Sequence, residues 1–463
     1  MARVIPAEVE EQINRMTNAF RETLIGIYEW SVGEGGGGPT AAEIEGRIRK
    51  WIQEIGQDTQ GLVIGGMDRY RRKGKQSCPE CEEGVYWKRY EPRNYISSLG
   101  EMKLERAYYH HAACHCGWVP LDERLELGAS ELSPWVQEMV SYLGAFMPFA
   151  QAQSFLKKYS GSDISHDTVN NTTVDIGLIM EDRQAEAGEL AWEKGQLPDC
   201  EVAILPKRLY VSADGINHLL PNGEGKEIKV AAVYETEERR NKAGEIEVHA
   251  IQIEYVVHSD PEDLARAAYL LAIKRGVASA EQIVVLGDGA KWIWNRIAAM
   301  FPRQKTTQIV DFYHASEYIW KAGNSVLGQE TPKAKAWGQD TCHDLKQEGP
   351  LPVLHALQSL SGVQDPPDPL SKALSYFENQ KKRMDYPSYS QQGFQIGSGS
   401  AESAVNQVVG ARMNQAGMRW NAARARAVAH VRAAILSGRW DDFWSEYSPT
   451  PRYYHRNHLP LAD

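Results

Sequence analysis

The sequence predicts a multidomain protein of the α/β class, and three observations support this prediction. The chain has 463 residues, which is too long for a single ordinary core. Four of its six cysteines lie close together, within residues 78–116, and helical periodicity dominates on both sides of them. From about residue 200, short runs rich in β-branched residues alternate with helical patterns, which is typical of an α/β sheet.

The alternating part is predicted to contain five strands. They are indicated by apolar runs at residues 209–213, 228–234, 248–257, 283–286 and 307–310. A helix should follow the third strand, because Asp260 and Pro261 together are typical of a helix N-terminus. Another helix is expected after the fourth strand, around Trp292. Three strands followed by alternating helices and strands are the order expected for an RNase H-like fold.

Changes in composition along the chain predict six segments. The segment after the cysteines has a helix, a short turn with glycine and another helix, which fits either a helix-turn-helix or a plain helical connector. A long helix is expected from about residue 400 to 436. The predicted segments are an N-terminal helical region (1–67), a zinc-ribbon-like domain (68–125), a helix-turn-helix-like DNA-binding segment (126–195), the first part of an RNase H-like core (200–320), a helical insertion (321–395) and the C-terminal helix of that core (396–445).

Composition and charge limit the class of protein. Hydrophobic residues make up 42% of the chain and charged residues 24%, as in ordinary globular proteins. No apolar run approaches the roughly 20 residues that span a bilayer, and the N-terminus lacks an apolar signal core, so we expect a cytoplasmic protein without a membrane partner. The net charge of −10 argues against strong nucleic-acid binding. Any DNA binding must therefore come from local basic surfaces.

Acidic residues stand where an α/β sheet usually places its chemistry. Asp214, Asp288 and Asp311 should each end a predicted strand, and open α/β sheets bind ligands outside these ends. Glu402 begins the last predicted helix, where the helix dipole favours an ionised carboxylate. Each residue alone also has a structural explanation, but their joint placement predicts a carboxylate site. Such oxygen ligands suit Mg²⁺, or Mn²⁺ as a substitute, in phosphoryl transfer.

The segments around these residues resemble a known family. The segments LYVSADGIN, VVLGDGAKWIWN, IVDFYHASEYIW and IGSGSAESAVNQVVGARMNQAGMRW resemble, in this order, characteristic blocks of bacterial insertion-sequence transposases of the ISKra type. The cysteine segment and YYHHAACHCGWVPLDERLEL resemble the N-terminal region of that family, so the resemblance covers roughly residues 75–445. It implies an RNase H-like core in which Asp214, Asp288 and Glu402 are the DDE triad and bind Mg²⁺ or Mn²⁺.

The resemblance also implies a supporting role for two residues beside the triad. The long interval between Asp288 and Glu402 suggests the helical insertion at 321–395. Asp311 and His314 are similar to a Cys/Asp-x-x-His motif of eukaryotic transposases that carry such an insertion. They would contact DNA or support the metal ligands. The alternative is that His314 faces the core from its helix.

Basic and aromatic residues on the last predicted helix are candidates for DNA contact. Arg412, Arg419 and Arg424 could grip phosphates, and Trp420 could stack on an unpaired base. The alternative for the arginines is a solvated helix face paired with acids. The alternative for Trp420 is a packed position in the core.

Two cysteine pairs predict a structural zinc site. Cys78 and Cys81 form a Cys-x-x-Cys knuckle, and Cys114 and Cys116 would complete a four-cysteine zinc ribbon. The second pair departs from the usual spacing, since a single residue separates its cysteines. A neighbouring histidine could therefore supply a ligand, and the candidates are His110, His111 and His115. A ribbon-like fold without metal is the other alternative.

Together these features predict an enzyme that cuts and joins DNA. Water would cleave each element end to leave a 3′-hydroxyl, which would then attack target DNA. The partners would be the terminal inverted repeats, target DNA and at least one further copy of the chain, in the bacterial nucleoid. The alternatives are a catalytically silent, DNA-binding regulatory relative and another RNase H-like nuclease. The complete carboxylate set argues against the first, and the cysteine segment with the insertion argues against the second.

Overall fold

The described residues form a mixed α/β protein, as predicted at the level of fold class. This computed structural model describes residues 5–32, 38–71, 74–240, 244, 246–361, 367–397, 399–449 and 454–455. They divide into two compact units. The first takes in the described parts of Met1–Gly144, Pro148–Thr172 and Phe443–Asp463, and the second those of Ala145–Met147 and Thr173–Asp442. No helix in these ranges is long and apolar enough to cross a lipid bilayer.

The first unit begins with two long helices. They are α1 (Ala7–Val32) and α2 (Ala41–Arg71). A capping box starts α2, because Thr40 N donates to Glu43 Oε2 over 2.8 Å and Glu43 N donates to the Thr40 hydroxyl over 3.3 Å. Phe20 of α1 stacks on Trp51 of α2 with 5.0 Å between the ring centres. The two helices therefore pack through apolar side chains.

Antiparallel strands follow these helices. They are β1 (Gln76–Ser77), β2 (Gly84–Val85), β3 (Trp87–Ser97), β4 (Gly100–His111) and β5 (Cys116–Trp118), and the short helix α3 (Pro120–Arg124) comes next. β1 pairs with β2, and the other three lie in the order β5-β4-β3. Leu104 and Tyr108 of β4 are buried in an apolar core. Beside this core, Asp122 of α3 is paired with Arg93 and Arg106.

Three helices cover the next part of the chain. They are α4 (Pro134–Phe146), α5 (Phe149–Tyr159) and α6 (His166–Glu193). Gly161, between α5 and α6, has φ +71°, which favours glycine and makes the turn possible. The boundary between the two units falls within α6, at Thr173.

A five-stranded mixed sheet forms the centre of the second unit. Its elements are β6 (Arg208–Leu219), β7 (Gly225–Arg240), β8 (Ile246–His258), α7 (Pro261–Lys274), β9 (Gln282–Gly287) and β10 (Thr306–Val310). Across the sheet the order is β10-β9-β6-β7-β8. The pairs β6–β7 and β7–β8 are antiparallel, whereas β6–β9 and β9–β10 are parallel. The buried apolar runs of β6 and β9 suit strands with both faces covered.

The helices that flank β9 differ in regularity. The side chain of Asp260 caps α7, since it accepts from Glu262 N over 2.8 Å and from Asp263 N over 3.2 Å, which confirms the predicted start. After β9, however, the predicted helix around Trp292 is irregular. A π-helical turn at Ile293–Ile297 is followed by a 3₁₀ turn at Ala298–Met300.

The segment after β10 is helical, as predicted. It contains α8 (Phe312–Leu327), α9 (Pro332–Glu348), α10 (Pro350–Leu360), α11 (Asp368–Gln380) and α12 (Tyr386–Gln391). A proline stands in the first turn of each of the last four helices, where its missing N–H costs no hydrogen bond. Gly323 of α8 receives the ring of Trp337, and Gly338 of α9 receives the ring of Trp320. These glycines allow α8 and α9 to approach closely.

The C-terminal part corrects the predicted continuous helix. Its elements are α13 (Gly399–Val405), a π-helical turn (Asn406–Gly410), α14 (Ala411–Met413), α15 (Ala422–Leu436), α16 (Trp440–Glu446) and β11 (Tyr454–His455), which pairs with β5. Gly417 has φ +80°, a conformation that a helix cannot contain. Asn421 then caps α15 by accepting from Ala423 N over 3.0 Å. A loop therefore separates the first part of the predicted helix from the second.

Candidate carboxylate site and metal-binding group

Asp214 and Asp288 lie on neighbouring strands of the mixed sheet. Asp288 directly follows β9, whereas Asp214 lies within β6, two residues beyond the last parallel pair, Ser212 with Leu286. The prediction that the strand ends at Asp214 is wrong, because β6 continues to Leu219 in antiparallel pairing with β7. Both carboxylates still stand just beyond the carboxyl end of the parallel part, where open α/β sheets bind ligands.

A nearby backbone amide holds each of these carboxylates. Gly215 N donates to Asp214 Oδ1 over 2.7 Å, and Ala290 N donates to Asp288 Oδ1 over 2.8 Å. Both aspartate side chains are half-buried. Local hydrogen bonds therefore fix the direction of each carboxylate, while solvent can still reach it.

The environment of Asp214 disfavours its ionised form. Burial is the main cause that raises its pKa above the ordinary value, and the charges of Asp288 and Glu227 raise it further. The Gly215 amide and the charge of His314 act in the opposite direction. A divalent cation would relieve the repulsion between the carboxylates, so the oxygen donors and the local negative charge fit Mg²⁺ or Mn²⁺.

Asp311 and His314 border the same region. Asp311 is buried and caps α8, since its Oδ1 accepts from His314 N over 2.7 Å. The His314 ring lies 5.6 Å from the ring of Tyr318 and 6.2 Å from that of Tyr376, centre to centre. It is half-buried, and its charge acts on Asp214. His314 thus lies beside the aspartates and is not enclosed in the core.

Glu402 is placed differently from the two aspartates. It is exposed on α13, and this helix packs against β6 and β7. Ser400, two residues earlier, donates its hydroxyl to the Tyr234 hydroxyl over 2.8 Å and so ties the helix to β7. Within the described part of the chain, Glu402 does not join Asp214 and Asp288 in one group close enough to hold an ion. The structure brings the two aspartates together and leaves Glu402 on a helix beside their sheet.

Glu227 is an acidic neighbour of Asp214 that sequence reasoning missed. It lies on β7, and its carboxylate occupies the space where a Cβ at Gly215 would stand. Lys229 forms an ion pair with it, and the Lys229 Nζ lies 5.7 Å from the ring centre of Trp292. Only the pairing register of β6 with β7 brings Glu227 next to the site, and a single sequence does not show that register.

Arg412 and Trp420 form a buried pair. The Arg412 guanidinium carbon lies 4.8 Å from the Trp420 ring centre, and the residues are 0% and 5% exposed. Burial, with a smaller contribution from Arg432, lowers the pKa of Arg412 to about 10. This placement corrects the expectation that Arg412 and Trp420 contact DNA, because neither offers a surface to a phosphate or a base.

The other two predicted DNA contacts are exposed. Arg419 lies in the loop before α15 and donates to Met418 O over 3.0 Å. Arg424 lies in the first turn of α15, and its charge acts on Asp175 of α6. The two arginines therefore lie on a loop and on a separate helix, and contact with phosphate stays a prediction for both.

A second candidate site lies in the first unit. The Sγ atoms of Cys78, Cys81 and Cys114 and a ring nitrogen of His111 all lie within 4.8 Å of one another. Cys81 Sγ is 3.4 Å from His111 Nδ1. Two residues separate the ligands in each half, Cys78 from Cys81 and His111 from Cys114. Three thiols and an imidazole are a typical donor set for structural zinc, so this Cys₃His group could hold a metal ion such as zinc.

Cys116 lies outside this group, which corrects the predicted four-cysteine set. It begins β5, is 0% exposed and belongs to a buried cluster with Tyr109 and Trp118. Burial is the main cause that raises its pKa, to about 11. His111, one of the three histidines considered as ligands, takes its place in the group.

Two thiols of the Cys₃His group, those of Cys78 and Cys114, differ in their pKa. Burial opposes ionisation of Cys78, but the backbone amides of Glu80 and Cys81, together with the side chains of His111 and Cys81, lower its pKa to about 7. The pKa of Cys114 is raised to about 12, chiefly by a hydrogen bond with Cys81. A bound cation would stabilise several neighbouring thiolates at once, so this crowded group of thiols is suited to binding a metal ion.

Comparison of the sequence with known proteins identifies a family and a relative. It matches an uncharacterised protein family, UPF0236, over residues 38–443. It is also similar to the "UPF0236 protein in vanSb 3′ region" of Streptococcus gallolyticus, with 30% identity over 208 residues. This similarity covers 44% of the chain and 42% of the relative, so the chain spans less than half the length of the curated relative it matches.

Proposed function

The chain belongs to the uncharacterised protein family UPF0236, and we propose that it is a DNA transposase of the DDE type. It would cleave the ends of an insertion sequence and transfer them into target DNA. The observation that carries the proposal is the convergence of Asp214 and Asp288 at the carboxyl end of two parallel strands. Glu402, on a helix that packs against the strand of Asp214, is the third carboxylate of the proposed set.

The strand order supports the proposal of an RNase H-like core. Three consecutive antiparallel strands, β6 to β8, are followed by α7 and by two strands parallel to β6. This is the order that the sequence predicts for such a core. In this proposal the helices from α9 to α12 form an insertion that separates β10 from the helix of Glu402.

The carboxylates would hold a metal ion for catalysis, and His314 would contact the substrate. Mg²⁺ or Mn²⁺, when bound, would supply positive charge to a crowded, negative transition state. Asp214 and Asp288 would hold the ion from adjacent strands, and Glu402 would complete the ligand set from α13. His314 presents a hydrogen-bonding group beside these carboxylates, and this suits contact with a DNA phosphate.

The proposed reaction consists of two in-line displacements. In the first, a water oxygen attacks phosphorus and the bond to the 3′ oxygen breaks, which leaves a 3′-hydroxyl and a 5′-phosphate. In the second, that 3′ oxygen attacks a phosphorus of target DNA and displaces another 3′ oxygen. Because two element ends must be processed together, the active form would be a homodimer or a larger assembly in the bacterial nucleoid.

The first unit would bind DNA in this proposal. The Cys₃His group would hold zinc and stabilise a ribbon-like fold around β1 to β5. The parts of α4 to α6 that belong to this unit would present a helix-turn-helix-like surface to the terminal repeats. Since the net charge is −10, exposed basic residues such as Arg419 and Arg424 would have to provide local attraction for phosphates.

A strand-transfer assay tests the proposal. The full chain is incubated with Mg²⁺ and labelled duplexes that carry the DNA flanking its gene, and the products are separated on denaturing gels. We expect cleaved ends and joined products with the natural sequence, and neither with Asp288→Asn. Hydrolysis without joining would favour another RNase H-like nuclease. DNA binding without cleavage would favour a regulatory relative.

A further inference from the structure

Two side chains of α11 hold the turn that carries Asp288. Tyr376 Oη donates to Asp288 O over 2.7 Å, and Gln380 Nε2 donates to Gly289 O over 2.8 Å. The two donors are four residues apart, so they lie on one face of the helix. One helix face thus binds two consecutive carbonyl groups of residues 288–290, which we call the Asp288 turn.

The Asp288 turn depends on a glycine to accept this contact. Gly289 has φ +103°, a conformation that residues with a side chain rarely adopt. A Cβ at this position would lie 2.8 Å from the ring of Tyr376. Gly289 therefore permits both the backbone conformation and the close approach of the ring.

The two donors are themselves held in place. The Tyr376 ring stacks on Tyr318 of α8, with 4.0 Å between the ring centres and 10° between the planes. Gln380 Oε1 accepts from Arg383 Nη1 over 2.9 Å, and this leaves the amide nitrogen of Gln380 facing the turn as a donor.

We propose that Tyr376 and Gln380 are positioning residues that set the Asp288 turn and, through it, the Asp288 carboxylate. The carboxylate follows the turn because Asp288 Oδ1 accepts from Ala290 N within the same turn. The consequence for metal binding rests on the proposed function, whereas the effect on the turn does not. In this view, α11 is part of the scaffold of the carboxylate site, and any movement of α11 away from the sheet would weaken that site.

Amide hydrogen exchange tests the effect on the turn in the full chain. Tyr376→Phe and Gln380→Met each remove one donor, and we expect each to raise the exchange rate of the Asp288 turn about five-fold, and both together about 25-fold. Tyr389→Phe is the matched control, because the Tyr389 hydroxyl donates to Gln308 O of β10 over 3.4 Å and not to this turn. Wild-type exchange in the folded double variant would overturn the proposal, whether or not the protein cleaves DNA.

Metal dependence tests the consequence for the site. We expect Tyr376→Phe to raise the Mn²⁺ concentration for half-saturation about five-fold, by calorimetry and by cleavage, without a lower melting temperature than Tyr389→Phe. If the turn exchanges faster in the variants but the wild type neither binds Mn²⁺ nor cleaves DNA, the proposed function fails and the positioning role stands. If the wild type cleaves DNA and the variants match it in exchange and in Mn²⁺ dependence, the positioning role fails alone.

Discussion

Asp214 lies close enough to Asp288 for the charge of the second carboxylate to raise the pKa of the first. The residues come from β6 and β9, which pair in parallel just before the two side chains. Burial of Asp214 is the larger cause of the shift, and Glu227 adds to it. The folded protein therefore holds a carboxylate where its ionised form is disfavoured, which is common at functional sites and has a measurable effect on stability.

We expect Asp214→Asn to raise the melting temperature at pH 7.5 when no divalent cation is present. The folded-state pKa of Asp214 lies above its unfolded value. Its stabilising contribution is therefore fully present below the unfolded value, and it is lost as the pH rises through the folded value. The gain should shrink as the pH falls towards about 4.5. Melting curves across this range measure it.

The matched control for this variant is Asp199→Asn, which makes the same change at an exposed position. It should leave the melting temperature unchanged over the whole pH range. If Asp214→Asn melts below the wild type at pH 7.5, the ionised carboxylate stabilises the fold. That result would contradict a raised pKa of Asp214 in the folded protein.

Mg²⁺ should stabilise the wild type and not Asp214→Asn. An ion that binds only the folded state adds stability by mass action, and this amounts to about 2.7 kcal/mol at roughly 100 times its Kd. The measurement is the free energy of unfolding by urea at increasing Mg²⁺ concentration. An equal gain in both proteins would show that the ion binds elsewhere. Ca²⁺, which prefers more ligands at longer distances, serves as a control for the specificity of the site.

Zinc binding should depend on His111 and not on Cys116. His111 belongs to the Cys₃His group, whereas Cys116 is buried beside Tyr109 and Trp118. We expect His111→Ala to lower zinc affinity by about a hundredfold or more, and Cys116→Ser to retain one zinc ion per chain. Competition with a chromophoric chelator gives both affinities. Loss of zinc in Cys116→Ser with retention in His111→Ala would restore the four-cysteine set.

Glu83 should strengthen zinc binding by the Cys₃His group. Its Oε2 lies 3.4 Å from His111 Nε2, on the ring nitrogen opposite to the one that faces Cys81. A carboxylate at this position orients a histidine ligand and raises its basicity. Glu83→Gln should therefore weaken zinc binding about tenfold in the chelator competition. Glu82→Gln, at a neighbouring exposed residue, should leave the affinity unchanged.

The parallel strands β9 and β10 could be predicted closely, because they are short apolar runs with clear ends, whereas β6 and β7 continue well beyond their apolar runs. Asp260 caps α7 as predicted, and β9 and β10 lie where their hydrophobic runs indicated. The continuous C-terminal helix was wrong for a local reason. Gly417 adopts a positive φ and Asn421 caps a new helix, and helical periodicity on both sides of this loop hid the break.

The ligands of the two candidate sites differ in how far sequence predicts them. The spacing of His111 and Cys114 repeats that of Cys78 and Cys81, so a search for equal spacing would have identified the histidine. Glu227, by contrast, reaches Asp214 only through strand register. Register depends on the exact position of the turn between the strands and on which strand face is buried, and the apolar runs alone do not reveal it.

Trp420 should contribute to folding and Arg419 to DNA binding. Trp420 is 5% exposed and lies against Arg412, so Trp420→Ala should lower the free energy of unfolding by about 3–5 kcal/mol. Arg419→Ala should change the free energy of unfolding by less than about 0.5 kcal/mol. It should reduce the slope of log DNA affinity against log salt concentration by about one, as expected for the loss of one phosphate contact. Urea unfolding and fluorescence anisotropy at several salt concentrations measure these effects. If a fully stable Trp420→Phe variant bound DNA more weakly, this would contradict the conclusion that Trp420 is buried and does not contact DNA.

Glu402→Gln should separate catalysis from stability. Glu402 is exposed on α13, in contrast to the half-buried Asp214, so loss of its charge should change the free energy of unfolding by less than about 0.5 kcal/mol. If Glu402 completes the proposed metal site, the same change should lower cleavage and strand transfer by at least about a hundredfold. Glu186→Gln, at an exposed position of α6 in the same unit, is the matched control for charge. Full activity of Glu402→Gln alongside inactive Asp214→Asn would leave a two-aspartate site, with Glu227 as the next carboxylate to test.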